Sequence, residues 1–232
     1  RVGIEMGGGH AGPPPAVPRP VGVVTVWGGA GGGCPRGPWG EGGGVEFYQV
    51  GYVAKEATAI IASDFREEAR GAGLGEPELE EASKMVRQVS VVDYALRLAE
   101  EGVVSSMHDL TEGGLIGGLY EVARASNSEA FLDAGKVLVH PVTRRALEAL
   151  GLDPLAAMSS GSLVATVSPQ MRGRAEEVLR SLGVEFSLVG YLSEASGRPL
   201  VKVRRGGKLE VYDSQREDAI AVLWSRRGAR GP

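Results

Sequence analysis

Apolar residues recur along this chain at strand-like and helix-like spacings, and from Val45 onward segments of the two kinds alternate. Ala57 to Ser63 reads as a short strand, followed by a charged loop from Asp64 to Gly75. A helix is expected from about Pro77 to Glu100, with Leu79, Ala82, Val86, Val89, Leu96 and Ala99 on its buried face and Gly102 as its stop. Val103, Val104 and Met107 give strand character again, and Leu115, Ile116, Leu119, Val122 and Ala123 return to helical spacing. A loop around Asn127 to Gly135 precedes a short strand, Lys136 to His140, and a helix from Val142 to Leu150 that Gly151 ends. Gly161 to Val167 is the next strand. Ser168 and Pro169 then supply an N-cap and a first-turn proline for a helix to Leu182, stopped by Gly183. Strands at Val184–Tyr191, Leu200–Val203 and Leu209–Tyr212 follow, with Arg204 and Arg205 at a hairpin end. Asp213 or Ser214 caps a last helix carrying Ile220, Leu223 and Trp224.

This regularity stops abruptly on the N-terminal side of Val45. Gly7–Gly9, Pro13–Pro15 and glycine clusters at 28–33 and 42–44 break either period, and only Val21 to Trp27 has the composition of a short strand. So few large apolar side chains do not offset the entropy of ordering. The reading is therefore a Gly/Pro-rich leader over 1–44, disordered or misassigned, and one mixed α+β domain over 45–232 with an adequate core.

The densest chemistry lies where the Val103–Met107 run meets the next helix, at His108-Asp109-Leu110-Thr111-Glu112-Gly113-Gly114-Leu115. Paired glycines let backbone N–H groups approach a ligand, and the first turn of a helix leaves donors free for an anion. Asp109 then orients His108 or polarises a water, Thr111 donates to a phosphate, and Gly113 and Gly114 present backbone donors. The plainer alternative is a capped helix, with Asp109 or Thr111 as N-cap, His108 as a strand-end imidazole and Glu112 as a charge complementing the helix dipole. Ser159-Ser160-Gly161-Ser162 offers a second set of hydroxyl and backbone donors, or simply a capped turn. Gly117 and Gly118 weaken the helix intrinsically, by about 1 kcal/mol each, which implies a close neighbour there.

The run HDLTEGGLIGGLYEVA, His108 to Ala123, resembles the corresponding turn of the aminoimidazole ribonucleotide synthetase (PurM) superfamily, to which AIR synthase-related and HypE-related proteins belong. Thr58-Ala59-Ile60-Ile61-Ala62 is similar to the first strand of that superfamily's C-terminal domain. Pro141-Val142-Thr143 with Leu150-Gly151-Leu152-Asp153-Pro154-Leu155 resembles the helix before its substrate-side loop, and Ser159 to Leu163 the loop and strand after it. The resemblance spans roughly Val50 to Trp224 in family order. It implies a three-layer α/β/α domain with partial ferredoxin-like topology. It also implies ATP and Mg2+ in the full architecture, with neither assigned to this chain alone and no metal ligand among its site residues. His108 and Asp109 would be catalytic. Thr111, Gly113, Gly114, Ser159, Ser160, Gly161 and Ser162 would hold phosphate or substrate. Ser160 and Glu112 stand where hydrogenase maturation members of the superfamily carry a glutamate and a basic residue, and Arg227 to Pro232 stands where they carry a cysteine tail.

The superfamily's N-terminal domain holds acidic magnesium ligands, whereas no aspartate precedes Asp64 here. The chain is thus expected to be mainly the C-terminal half, because it is naturally one half, a fragment, or carries a misassigned first part. Its function would be ATP-dependent activation of an amide or acyl oxygen, or phosphorylation of a small acceptor; the alternative is a noncatalytic binding or assembly module. Expected partners are a small-molecule or nucleotide ligand, with either a homodimer or a separate N-terminal-domain partner. At 43% hydrophobic and 23% charged residues with a net charge of −4, nothing points to nucleic acid. No apolar run approaches the roughly 20 residues that span a bilayer, and no signal leader opens the chain, so the expected location is cytoplasmic. Cys34, the only cysteine, excludes an internal disulfide and reads as an incidental thiol. Arginine outnumbers lysine and Asn127 is the only asparagine, a composition that fits a thermophile or GC-rich coding equally.

Overall fold

β1 (Val45–Val50) is the strand around which the domain is organised. Antiparallel β4 (Leu163–Val167) and β5 (Phe186–Glu194) flank it, and side chains on both of its faces are buried. The computed structural model describes residues 44–228; the leader, with Cys34 and the strand expected at Val21–Trp27, and the chain's last four residues lie outside the described part. β2 (Ser106–Asp109), β3 (Ser128–Asp133), β6 (Leu200–Arg205) and β7 (Lys208–Tyr212) complete a seven-stranded sheet in the order β2-β4-β1-β5-β3-β6-β7. Every neighbouring pair is antiparallel except β3 and β6.

The strand expected over Ala57–Ser63 is instead a helix, α1 (Lys55–Asp64). β-branched Thr58, Ile60 and Ile61 suggest a strand, but three alanines in the same run favour a helix, and a short apolar run does not separate the two periods. The strand beginning the domain is β1, which precedes that run. The helix expected over Pro77–Glu100 is broken into α3 (Glu76–Lys84), a 3-10 turn at Met85–Gln88 and α4 (Val92–Glu100). The break resets the helical phase, so Met85 and Leu98 are buried while Val86 and Leu96 face solvent. β3 occupies the expected loop at Asn127–Gly135: Ala130 and Leu132 point inward at period two, and Asn127 turns the chain with φ of 49°. Lys136–His140 forms no strand, only a single bridge from Val139 to Val53.

α2 (Arg66–Gly71), α5 (Gly114–Ala125), α6 (Pro141–Ala149), α7 (Arg172–Leu182) and α8 (Ala219–Gly228) supply the remaining helices. α5 lays Leu115, Ile116 and Leu119 on one sheet face, with Phe47, Leu132, Val189 and Val203. Leu98 of α4 and Val178 and Leu179 of α7 cover the other face over Tyr48, Val50, Leu163 and Ala165. A third apolar cluster, including Ile61, Phe65, Leu79, Leu147 and Ile220, holds α1, α2, α3, α6 and α8 together. The mixed sheet with helices on both faces is the expected architecture. α8 is capped by Asp218, not Asp213 or Ser214: its Oδ1 accepts from Ile220 N–H at 2.8 Å. Among the described residues no helix is long and apolar enough to cross a membrane.

Candidate functional site

β1 and β2 lie on opposite sides of β4 and run in the same direction, so Leu163 is registered with Val50 on one side and Asp109 on the other. Both strands therefore end at the same edge of the sheet, and the segment leading into β4, residues 157–162, comes in between their turns. Leu110 N–H donates to Ser162 O at 3.0 Å, and Ser159 N–H to Thr111 O at 3.4 Å. On the β1 side, Ala54 N–H donates to Ser159 Oγ at 2.8 Å, Ala57 N–H to Met158 O at 3.1 Å, and Ser160 N–H to Glu56 Oε2 at 3.3 Å. One loop thus stitches both turns together, and the two segments expected to form a site are adjacent.

The paired glycines earn their place sterically. Gly113 and Gly114 have φ of 75° and 58°, a region that L side chains seldom occupy. A Cβ on Gly114 would lie 2.6 Å from Ala157 O. Gly113 N–H is not open, however: it donates to Asp218 Oδ2 at 2.9 Å. Asp218 is 8% exposed, and burial pushes its carboxyl above the usual aspartate range, with the charge of Glu112 adding to the rise and N–H donors from Ile220, Gly113 and Met158 opposing it. Gly114 N–H closes a turn onto Thr111 O at 3.1 Å. α5 has no side-chain N-cap, so neither Asp109 nor Thr111 caps it; an aspartate 105 residues away satisfies its first donor.

His108 Nε2 is 2.6 Å from Glu121 Oε2 on α5, while its Nδ1 stands 3.8 Å from Asp109 Oδ1. Glu121, not Asp109, therefore orients the imidazole, and Gln215 Nε2 donates to the other Glu121 oxygen at 3.2 Å. Asp109 and Glu112 face solvent. In the second loop Ser159 Oγ donates to Ala157 O and Ser162 Oγ to Ser159 O, both at 2.7 Å and both fully buried. Gly161 has φ of 90°, its carbonyl accepts from Tyr94 OH at 2.6 Å, and a Cβ there would meet Gln88 O. The hydroxyls of Thr111 and Ser160, both half-buried, have no hydrogen-bond partner among the described residues. Of the expected binding residues, these two keep free side-chain donors.

Besides Glu121, two residues of this region escaped the sequence reading. Asp218 is one. The other is Lys55, the first residue of α1, 8% exposed and without an ion pair or hydrogen bond among the described residues. Desolvation holds its ammonium below the usual lysine range. In sequence it is a lone lysine two residues before the run expected as a strand, Ala57 to Ser63, with nothing local to mark it as buried. Among the described residues no three His, Cys, Asp or Glu side chains cluster as metal ligands.

The family described as AIR synthase related protein, C-terminal domain, matches residues 56–202. Carbamoyl dehydratase HypE of Bradyrhizobium diazoefficiens is 36% identical over 105 residues, 44% of this chain and 30% of that protein. The crystal structure of E. coli HypE has a similar fold, with a TM-score of 0.61 at 24% identity over 76% of this chain and 52% of that one. A hydrogenase maturation protein HypE solved in complex with ATP also shares the fold, with a TM-score of 0.56 at 19% identity over 76% of this chain and 52% of that one. The chain thus spans about half the length of these solved structures.

Proposed function

This chain belongs to the AIR synthase related protein family through its C-terminal domain, and from that premise we propose that it is the acceptor-side half of an ATP-dependent, HypE-like protein. In that reading the whole protein activates an amide or acyl oxygen, or phosphorylates a small acceptor. The carrying observation is that residues 157–162 join the two strand-end turns into one edge, where Thr111 and Ser160 keep unused hydroxyl donors. ATP would supply the phosphoryl group that makes an oxygen a leaving group. Thr111 and Ser160 would donate to phosphate or acceptor oxygens, and His108, held by Glu121, would exchange a proton at Nδ1 near Asp109. Acidic metal ligands would come from a second domain, supplied in the same longer protein or as a partner. The similarity to HypE and to its ATP complex supports this reading.

The test uses the longest product of the gene, titrated with ATP and Mg2+ and assayed for acceptor-dependent ADP release. Thr111→Val combined with Ser160→Ala should lower affinity or turnover by about tenfold or more, the loss of one to two hydrogen bonds to charged oxygens. An unchanged affinity and turnover in that folded double variant would remove this edge from the site. A second reading, a noncatalytic assembly module, is favoured by one observation: Asp218 fills the Gly113 donor with a carboxylate of the chain itself. Absence of ATP binding in the longest product would favour that module.

A further inference from the structure

The N-terminus of α1 offers what the glycine turn does not. Its N-cap, Ala54, has a left-handed backbone with φ of 59° and no side chain able to cap. Ala54 and Ala57 spend their N–H groups on Ser159 Oγ and Met158 O, whereas the N–H groups of Lys55 and Glu56 between them have no partner among the described residues. Lys55 is the first residue of α1, so its side chain springs from this same uncapped end. Lys55 is the only buried lysine among the chain's five, and it has no carboxylate partner: Glu56 is engaged by Ser160 N–H and Asp218 by α5 and α8.

We propose that the N-terminus of α1 and the Lys55 ammonium form a receptor for a phosphoryl oxyanion, free or carried on a nucleotide. Uncapped donors at a helix start and a desolvated, unpaired cation each cost free energy alone, and one bound dianion satisfies both. Burial lowers the lysine pKa, and a bound anion would raise it. α5 shows the chemistry completed from within: the Asp218 carboxylate accepts from Gly113 N–H at its start. α1 has no such internal carboxylate among the described residues. The receptor stands on this geometry alone and does not require the ATP-dependent reading above.

Thermal melts of the full chain at matched ionic strength test it, with inorganic phosphate, ATP and adenosine as probes against wild type, Lys55→Met and Lys55→Gln. At a hundredfold excess over Kd, phosphate should raise the wild-type midpoint by roughly 5 to 10 °C. Both variants should lose that shift, and Lys55→Met should melt no lower than wild type without phosphate, because a buried unpaired charge is gone. No phosphate shift in wild type, or an equal shift in the variants, overturns the receptor. So does a shift with adenosine equal to that with ATP. If the variants fail to fold, pyridoxal 5′-phosphate labelling of the wild type, trapped with borohydride, replaces them. Modification of Lys55 that inorganic phosphate suppresses supports the receptor; labelling confined to Lys84, Lys136, Lys202 and Lys208 overturns it. A phosphate shift no larger with ATP keeps the receptor and counts against the nucleotide reading alone.

Discussion

Two turns leave the same edge of the sheet, one from β1 into α1 and one from β2 into α5, and they have opposite fates. Neither helix has a side-chain cap of its own, and both turns are sewn to residues 157–162. The α5 turn has the residues that advertise an anion site, and it is closed: Asp218 takes the Gly113 donor, and Gly114 fits against Ala157 with no room for a side chain. The α1 turn has an alanine where a glycine would be easier, and it is open: two N–H groups and a lysine lack partners among the described residues. A glycine pair therefore reports close backbone packing at least as readily as ligand access. Unspent donors report access more directly, and they show only when every group at the edge has been traced to its partner.

The sharpest way to break this contrast is to put a side chain into the closed turn. Gly114→Ala would place a Cβ 2.6 Å from Ala157 O and 2.8 Å from Ala157 N, at a φ of 58°. Backbone cannot retreat as a flexible side chain can. The expected cost is about 3 kcal/mol or more, from left-handed strain plus overpacking, measured by denaturant midpoint. A loss under about 1 kcal/mol would mean that the turn is loose enough to admit a ligand after all.

The next largest effect should come from Asp218→Ala, which leaves the Gly113 and Ile220 N–H groups without their acceptor. The expected loss is about 2 kcal/mol, a cap plus a buried donor. Its pH dependence carries more information. The native carboxyl binds its proton more tightly than in the unfolded chain, so this group's stabilising contribution is complete below the unfolded aspartate pKa. It is lost as pH rises through the raised native value. The deficit of Asp218→Ala relative to wild type should therefore be greatest in acid and shrink toward neutrality. A deficit that grows with pH would show that the carboxylate, not the acid, is the favoured native form, and that α5 binds its internal anion strongly.

Much of this edge was legible in the sequence, because local periodicity and punctuation carry it. The strand, turn and helix around His108–Ala123 and the helix stops at Gly151 and Gly183 follow from spacing and glycine alone. Where the reading failed, the competing signals were short or remote. Six residues of β3 give only two apolar inward positions, Ala130 and Leu132, beside the buried polar Ser128, too few to stand out from a polar loop. Ile60 and Ile61 argue for a strand in a run whose alanines argue for a helix, and the pairing of β1 with β4 and β5 decides the matter from outside the run. The break at Met85–Gln88 follows the backbone of Gly161, which comes so close that a Cβ would touch Gln88 O at 2.1 Å. Asp218 closes a turn 105 residues away, a relation that no local pattern encodes. Lys55 became informative only when its neighbours proved to be helical and buried.

The smallest effect examines the open turn by its strain. Ala54 is fully buried, and an ordinary buried alanine such as Ala146 within α6 should lose about 1.5 to 2 kcal/mol on change to glycine, through helix propensity and the lost methyl. Ala54 differs because its φ is 59°. Glycine there relieves about 1 to 2 kcal/mol of left-handed strain, which offsets the lost methyl and the added unfolded-state entropy. Ala54→Gly should therefore fall within about 0.5 kcal/mol of wild type, while Ala146→Gly should not. Paired denaturant titrations of the two variants separate the cases. Equal losses at both positions would mean that the Ala54 methyl is held by packing worth more than its strain. A near-neutral result would mean that the α1 turn keeps an unfavourable backbone without a packing reward, as a strand end arranged around its unspent donors would.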